Sequence, residues 1–244
     1  AYYLPGYKAG GPITSISSLI DIIGTEYDFR VLTQDRDLGD TESYSDIKPL
    51  SWQQVGNASV CYIPPKNLNL PNLRRILNSN PADVLYLNSF FNFHFTTIPL
   101  LLYRFGLLKV RRVILAPRGE FSPNALEQKK FKKKAFILLS RCLLFHRGIT
   151  WQASSLKEKE HIEAVMGRPR VNVSVAPNLS SAKASPFFTS LASDLRQPGP
   201  LRIIFLSRIH PHKNLAYLLS ILASCTSEVH LSDRKSTRLN SSHT

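Results

Sequence analysis

Short continuous apolar runs alternate along this chain with apolar positions at helical spacing, and the alternation predicts strands and helices in turn. Ile16, Leu19, Ile20 and Ile23 predict a helix over Ile13–Ile23, closed by Gly24, after a glycine- and proline-rich loop over Pro5–Pro12. A short strand over Phe29–Thr33, a polar loop over Gln34–Asp46 and a strand over Val60–Ile63 follow, the last stopped by Pro64-Pro65. Leu73, Ile76 and Leu77 give Leu70–Asn78 an inward helical face. The run DVLYL at Asp83–Leu87 predicts a buried parallel strand. Beyond it come a helix over Ile98–Phe105, a strand over Val113–Ala116, and a long helix over Pro123–Phe145, basic outside and apolar within. Thr150–Ala153 and Val171–Ala176 are expected strands around a helix over Leu156–Met166 that Gly167 ends.

Ser180–Pro200 is rich in Ser, Ala and Pro and reads as a linker. A new unit then opens with a strand over Leu201–Leu206, a loop over Ser207–Asn214, a helix over Leu215–Ala223 and a strand beginning at Val229. Strands that alternate with helices predict an α/β fold, a doubly wound parallel sheet of Rossmann-like type. The expected domains are residues 1–179, a linker over 180–200, and the start of a second Rossmann-like domain over 201–232. Ala1–Leu4 reads as the tail of an incomplete first strand, and Asp233–His243 (DRKSTRLNSSH) as the translation of a widely used sequencing adapter, so residues 233–244 are expected to be a non-native tail on a fragment.

The net charge of +14 changes the picture more than the 43% apolar content does. Basic residues cluster at Lys109–Arg112 and Lys129–Lys134, with Arg141 and Arg147 beyond. Such a cluster is either a solvated helix face or a surface for polyanions: nucleic acid, anionic lipid or phosphorylated substrates. Nucleic acid is the weaker of these, since no aromatic-basic motif or zinc-finger spacing accompanies the charge. Cys61, Cys142 and Cys225 have no metal or redox spacing and read as idle thiols in a reducing compartment. The apolar runs Ile98–Leu102 and Ala135–Leu139 are too short to cross a bilayer. The expected location is cytoplasmic, either free or resting on a membrane.

Ligands of open parallel sheets bind beyond the carboxyl ends of the strands, and four loops fall there. Gly10-Gly11-Pro12 lets backbone approach a ligand at a helix start, or is a plain turn. Asn88, Ser89 and His94 follow the DVLYL strand and are placed to hydrogen-bond a sugar, though a lone histidine such as His94 is more often structural than catalytic. Arg118 can pair an anion and Glu120 can bind a sugar hydroxyl, or the two pair with each other. Arg208 and Lys213 flank a strand-to-helix junction, where two cations with free backbone N–H groups could neutralise a diphosphate without a metal. That last loop is the most telling of the four.

Taken together, PGYKAGGP (Pro5–Pro12), TQDRDLGD (Thr33–Asp40), DVLYLNSFF (Asp83–Phe91), LAPRGEFSPNAL (Leu115–Leu126), WQASS (Trp151–Ser155), VAPN (Val175–Asn178) and LSRIHPHKN (Leu206–Asn214) resemble glycosyltransferase family 4. The resemblance runs from Tyr3 to about Leu222. It implies the GT-B fold, two Rossmann-like domains facing across a cleft. It also implies retaining, metal-independent transfer of a sugar from a nucleotide-diphosphate donor to a glycan or lipid-linked acceptor. No cofactor is implied, the nucleotide sugar being a substrate, and no nucleic acid is expected as a partner. Arg208 and Lys213 match the family's basic pair on the donor diphosphate, and Gly10 and Gly11 its glycine loop. Arg118 and Glu120 lie in the matching PRGE segment. Many relatives carry a histidine where this chain has Asn88, so no histidine role transfers there. The family's glutamate pair is expected beyond Leu231, which makes the fragment itself inactive. The basic Lys129–Arg141 helix is expected to lie against anionic lipid. Two rivals remain: a nucleotide-cofactor oxidoreductase, which should show G-x-G-x-x-G, and a basic nucleic-acid- or membrane-binding module without catalysis.

Overall fold

A computed structural model of the chain describes residues 1–167, 171–179, 201–205, 214–225 and 229–233. It divides into two units, Ala1–Lys183 and Ala184–Thr244. The first opens with α1 (Gly11–Ile23), β1 (Phe29–Gln34), β2 (Trp52–Val55), β3 (Ala58–Ile63) and α2 (Leu70–Ser79). It continues with β4 (Ala82–Asn88), α3 (Ile98–Arg104), β5 (Val110–Ala116), α4 (Pro123–Glu127), α5 (Lys130–Cys142), β6 (Thr150–Ala153), α6 (Leu156–Met166) and β7 (Asn172–Val175). The second unit holds β8 (Leu201–Phe205), α7 (Leu215–Ala223) and β9 (Val229–Asp233), with β8 and β9 paired in parallel.

The architecture is α/β, built around a parallel sheet in the order β4-β5-β6-β7. Consecutive strands are neighbours, and a helix returns the chain between each pair, as parallel pairing requires. A smaller sheet in the order β1-β3-β2 pairs β1 with β3 in parallel and folds β2 back on β3. That hairpin turns at Gly56, whose φ of 58° suits glycine. Helix boundaries follow local chemistry. Asn69 caps α2 by accepting from Asn72 N–H, Ser155 caps α6 by accepting from Glu158 N–H, and Gly167 ends α6 with a φ of 93°.

The core of the larger sheet gathers Leu87, Val113, Leu115, Trp151 and Ala153 from the strands against Phe90, Phe121, Ile137 and Ile162. A second core joins Cys61 and Ile63 to Leu73, Ile76, Ile98 and Leu102. Helix α3 thus serves both, with Leu100 in the first core and Ile98 and Leu102 in the second. A third packs α1 through Ile20 against Ala58, Val60 and Tyr62.

The structure departs from the sequence-based expectations in four places. The predicted long helix over Pro123–Phe145 is two helices, separated at Lys129, whose φ of 54° is left-handed. Its apolar residues do not all face inward: Ile137 and Ser140 are buried, whereas Phe131 is 88% and Leu138 63% exposed. The DVLYL strand is not buried along its length, because β4 is an edge strand of its sheet; only Leu87 is buried, and Val84 is 45% exposed. Finally, Ala1–Leu4, read as the tail of a strand, lies in no strand. The expected linker over 180–200 lies outside the described residues.

Candidate ligand site at the carboxyl ends of the strands

Because β4, β5, β6 and β7 are parallel, their carboxyl ends open on one side of the sheet. Asn88 is the last residue of β4, and Tyr86, two residues earlier, shares its face. Arg118 follows β5, Gln152 lies in β6 and Asn178 follows β7. Four different chain segments therefore deliver polar side chains to one edge.

Arg118 is the hub. Its Nε donates to Asn88 Oδ1 at 3.0 Å, one Nη to Tyr86 Oη at 2.7 Å, and the other Nη to Asn178 Oδ1. The guanidinium also lies 5.8 Å from the centre of the Tyr86 ring. Burial raises the Tyr86 phenol above its ordinary range, against the opposing pull of Arg118, so the hydroxyl stays protonated. It can thus accept from Arg118 while donating to Gln152 Oε1, and Gln152 Nε2 in turn donates to Ala176 O at 2.8 Å. No described carboxylate forms an ion pair with Arg118. The guanidinium is held by neutral oxygens.

The backbone around Arg118 is fixed with equal care. Arg118 has a φ of 56° and Gly119 one of 78°, and the strain at a non-glycine residue persists only where surroundings over-determine it. Here Glu158 Oε1 accepts from Gly119 N–H at 2.6 Å, while its Oε2 takes Ser154 N–H and Ser154 Oγ at 2.7 and 2.5 Å.

Glu120 faces the chain itself. Its Oε1 accepts from Ser89 Oγ at 2.6 Å, and its Oε2 from the N–H groups of Phe90 and Phe91. Burial raises its carboxyl above the ordinary value, opposed by those donors and by Lys133. Its carboxylate secures the turn after β4, where Ser89 has a φ of 76°. His94 sits in a single π turn, Phe93–Thr97, edge-on to the Phe93 ring at 5.4 Å. Asn88 and Arg118 are thus brought together, whereas Glu120 and His94 hold separate posts.

Gly10 and Gly11 open α1. Gly10 has a φ of 70° and a ψ of −128°, which suits glycine, and a side chain on Gly11 would meet open space. The loop before them is pinned by Asp37, whose Oδ2 accepts from the N–H groups of Tyr7 and Lys8 at 2.7 and 3.0 Å. Burial would raise the Asp37 carboxyl, but three backbone donors and Lys8 outweigh it and hold it below the usual value. Arg208 and Lys213 lie outside the described residues.

Sequence reasoning missed Tyr86, Gln152, Asp37 and Glu158 as parts of these sites. For Tyr86 the period-two step to Asn88 was a readable signal. Glu158 stands at the third position after the Ser155 cap, the spacing of a capping box, but its bond to Gly119 is a tertiary contact that no local pattern reveals. A cavity of about 390 Å³ lies at the opposite, amino ends of β4 and β5, beside Pro81, Asp83 and Lys109, away from this cluster. Among the described residues no helix is long and apolar enough to cross a membrane, and no group of three or more His, Cys, Asp or Glu could hold a metal. Comparison with protein-family models, curated proteins and solved structures gave no match.

Proposed function

We propose that this chain comes from a GT-B glycosyltransferase that moves a sugar from a nucleotide-diphosphate donor to a glycan or lipid-linked acceptor. The observation that carries the reading is the cluster of Arg118, Asn88, Tyr86 and Asn178 at the carboxyl ends of parallel strands. Amide and guanidinium groups held in place by one another suit the many hydroxyls of a sugar, and this edge is where open α/β sheets take ligands.

In this reading the first unit is the acceptor side, and Gly10 and Gly11 border the donor. Asn88 and Arg118 contact the acceptor. Glu120 stands behind this site and supports it by holding Ser89 through Phe91 in position. Arg208 and Lys213 offset the charge of the departing nucleoside diphosphate, the kind of help a leaving phosphate needs. Transfer retains the anomeric configuration and uses no metal.

The exposed face of α5 supports a membrane partner for the same enzyme. Phe131, Leu138 and Leu139 stand exposed on a helix that also carries Lys130, Lys132, Lys134 and Arg141. Apolar side chains among cations suit the boundary of an anionic bilayer better than free water, which supports an acceptor at the inner membrane face. A binding module without catalysis would share this surface.

Offering UDP-, GDP- and ADP-sugars to the full-length protein and measuring the nucleoside diphosphate released distinguishes the readings. One donor class is expected to turn over in the presence of acceptor. Release from none of them, with lipid binding intact, would leave the membrane-binding module in its place.

A further inference from the structure

Arg118 has five N–H groups, and three of them go to Asn88 Oδ1, Asn178 Oδ1 and Tyr86 Oη. Two carboxylates, Glu120 and Glu158, brace the neighbouring residues. Both are committed elsewhere. Glu120 accepts from Ser89, Phe90 and Phe91, and Glu158 from Gly119 and Ser154. The remaining N–H groups number two, one on each terminal nitrogen. Two such groups on one cationic side chain are enough to meet two oxygens of one oxyanion. The site is reached from the side of Asn178, which is exposed.

We infer that Arg118, oriented by Asn88, Tyr86 and Asn178, binds an oxyanion, so that the acceptor is an anionic molecule carrying a phosphate or carboxylate. This deepens the sugar-transfer reading and rests on it for the word acceptor, though the anion site itself does not. The neutral tethers fix the fork without cancelling its charge, so the same cluster that suits sugar hydroxyls can also hold an anionic group of the acceptor.

The test uses the 244-residue chain, labelled with ¹⁵N in its arginine side chains and titrated with inorganic phosphate and with acetate. One Nε–H resonance is expected to shift and saturate, and to be missing from Arg118→Met. Arg118→Lys, which keeps the charge but loses the fork, is expected to weaken binding at least ten-fold. Tyr86→Phe keeps the guanidinium and loosens it, and is expected to weaken binding several-fold, which covers the case where Arg118→Met fails to fold. A saturating shift that survives in Arg118→Met, or an affinity unchanged in both Arg118→Lys and Tyr86→Phe, overturns the inference.

Glycerol phosphate and vesicles containing phosphatidic acid then separate a soluble anion from a lipid headgroup; Arg118-dependent binding of either supports the site, and binding of neither overturns it as an acceptor site. Anion binding at Arg118 without turnover of any nucleotide sugar would remove the transferase reading alone. Turnover with no anion bound would remove this inference alone.

Discussion

Arg118 Nε donates to Asn88 Oδ1 at 3.0 Å, which fastens the loop after β5 to the last residue of β4. The acceptor in that bond is neutral, and this is what leaves the guanidinium charged toward solvent. Asn88→Asp would replace it with a carboxylate of nearly the same shape. The expected result is a protein at least as stable as the wild type in urea, but with oxyanion binding reduced at least ten-fold, since the charge is then paired internally. Asn88→Ala should lower stability by about 1 kcal/mol, the usual value of one such bond. Denaturation midpoints and phosphate titration read the two effects separately.

Glu120 holds three donors of the Ser89–Phe91 turn. Glu120→Ala strands Phe90 N–H and Ser89 Oγ in a half-buried place and is expected to cost about 3 kcal/mol. Glu120→Gln keeps one acceptor oxygen and should cost about half of that. Equal losses for the two variants would mean that the carboxylate does not organise the turn.

Acid should weaken the first unit in two steps. His146 is buried, its Nδ1 has no hydrogen-bond partner, and burial, with Arg141 adding to it, lowers its pKa from the ordinary 6.5. Above pH 6.5 the ring is neutral in both folded and unfolded chains. Below it the unfolded chain takes a proton that the folded one resists, so stability falls as pH drops toward the folded value. Asp37 is depressed below the ordinary 3.8, so its contribution is present above that pH and is lost as pH falls through the folded value. His146→Phe is expected to flatten the urea midpoint between pH 7 and 5, and Asp37→Asn to flatten it only below about pH 4.

The helix α5 makes a separate forecast. Phe131→Ser with Leu138→Ser should reduce co-sedimentation with phosphatidylglycerol vesicles several-fold and leave the fold untouched, since Phe131 and Leu138 are 88% and 63% exposed. Binding to neutral phosphatidylcholine is expected to be weak in every variant. Equal binding to neutral and anionic vesicles would contradict the charge-assisted docking of this face.

Most elements of the fold were legible because their signals are local. The helical spacing of Ile16, Ile20 and Ile23 and the closing Gly167 mark their helices within a turn of where they stand. The break at Lys129 was not legible, since a left-handed lysine has no signature like that of glycine. Nor was the exposure of Val84, because a run buried on both faces and an edge strand look alike in sequence. In the site, Asn88 and Arg118 were found from their places after strands. The hold of Glu120 on Ser89, 31 residues away, and that of Glu158 on Gly119, 39 residues away, depend on packing that only the folded chain displays.

The central claim is that the chain engages a nucleoside diphosphate through Arg208 and Lys213. Isothermal titration of the full-length protein with UDP, GDP and ADP, repeated on the variant Arg208→Ala/Lys213→Ala, tests it directly. One of the three nucleotides is expected to bind at a single site and to lose at least ten-fold in affinity in the double variant. An affinity that the double variant leaves unchanged, or no binding of any of the three, would contradict the account.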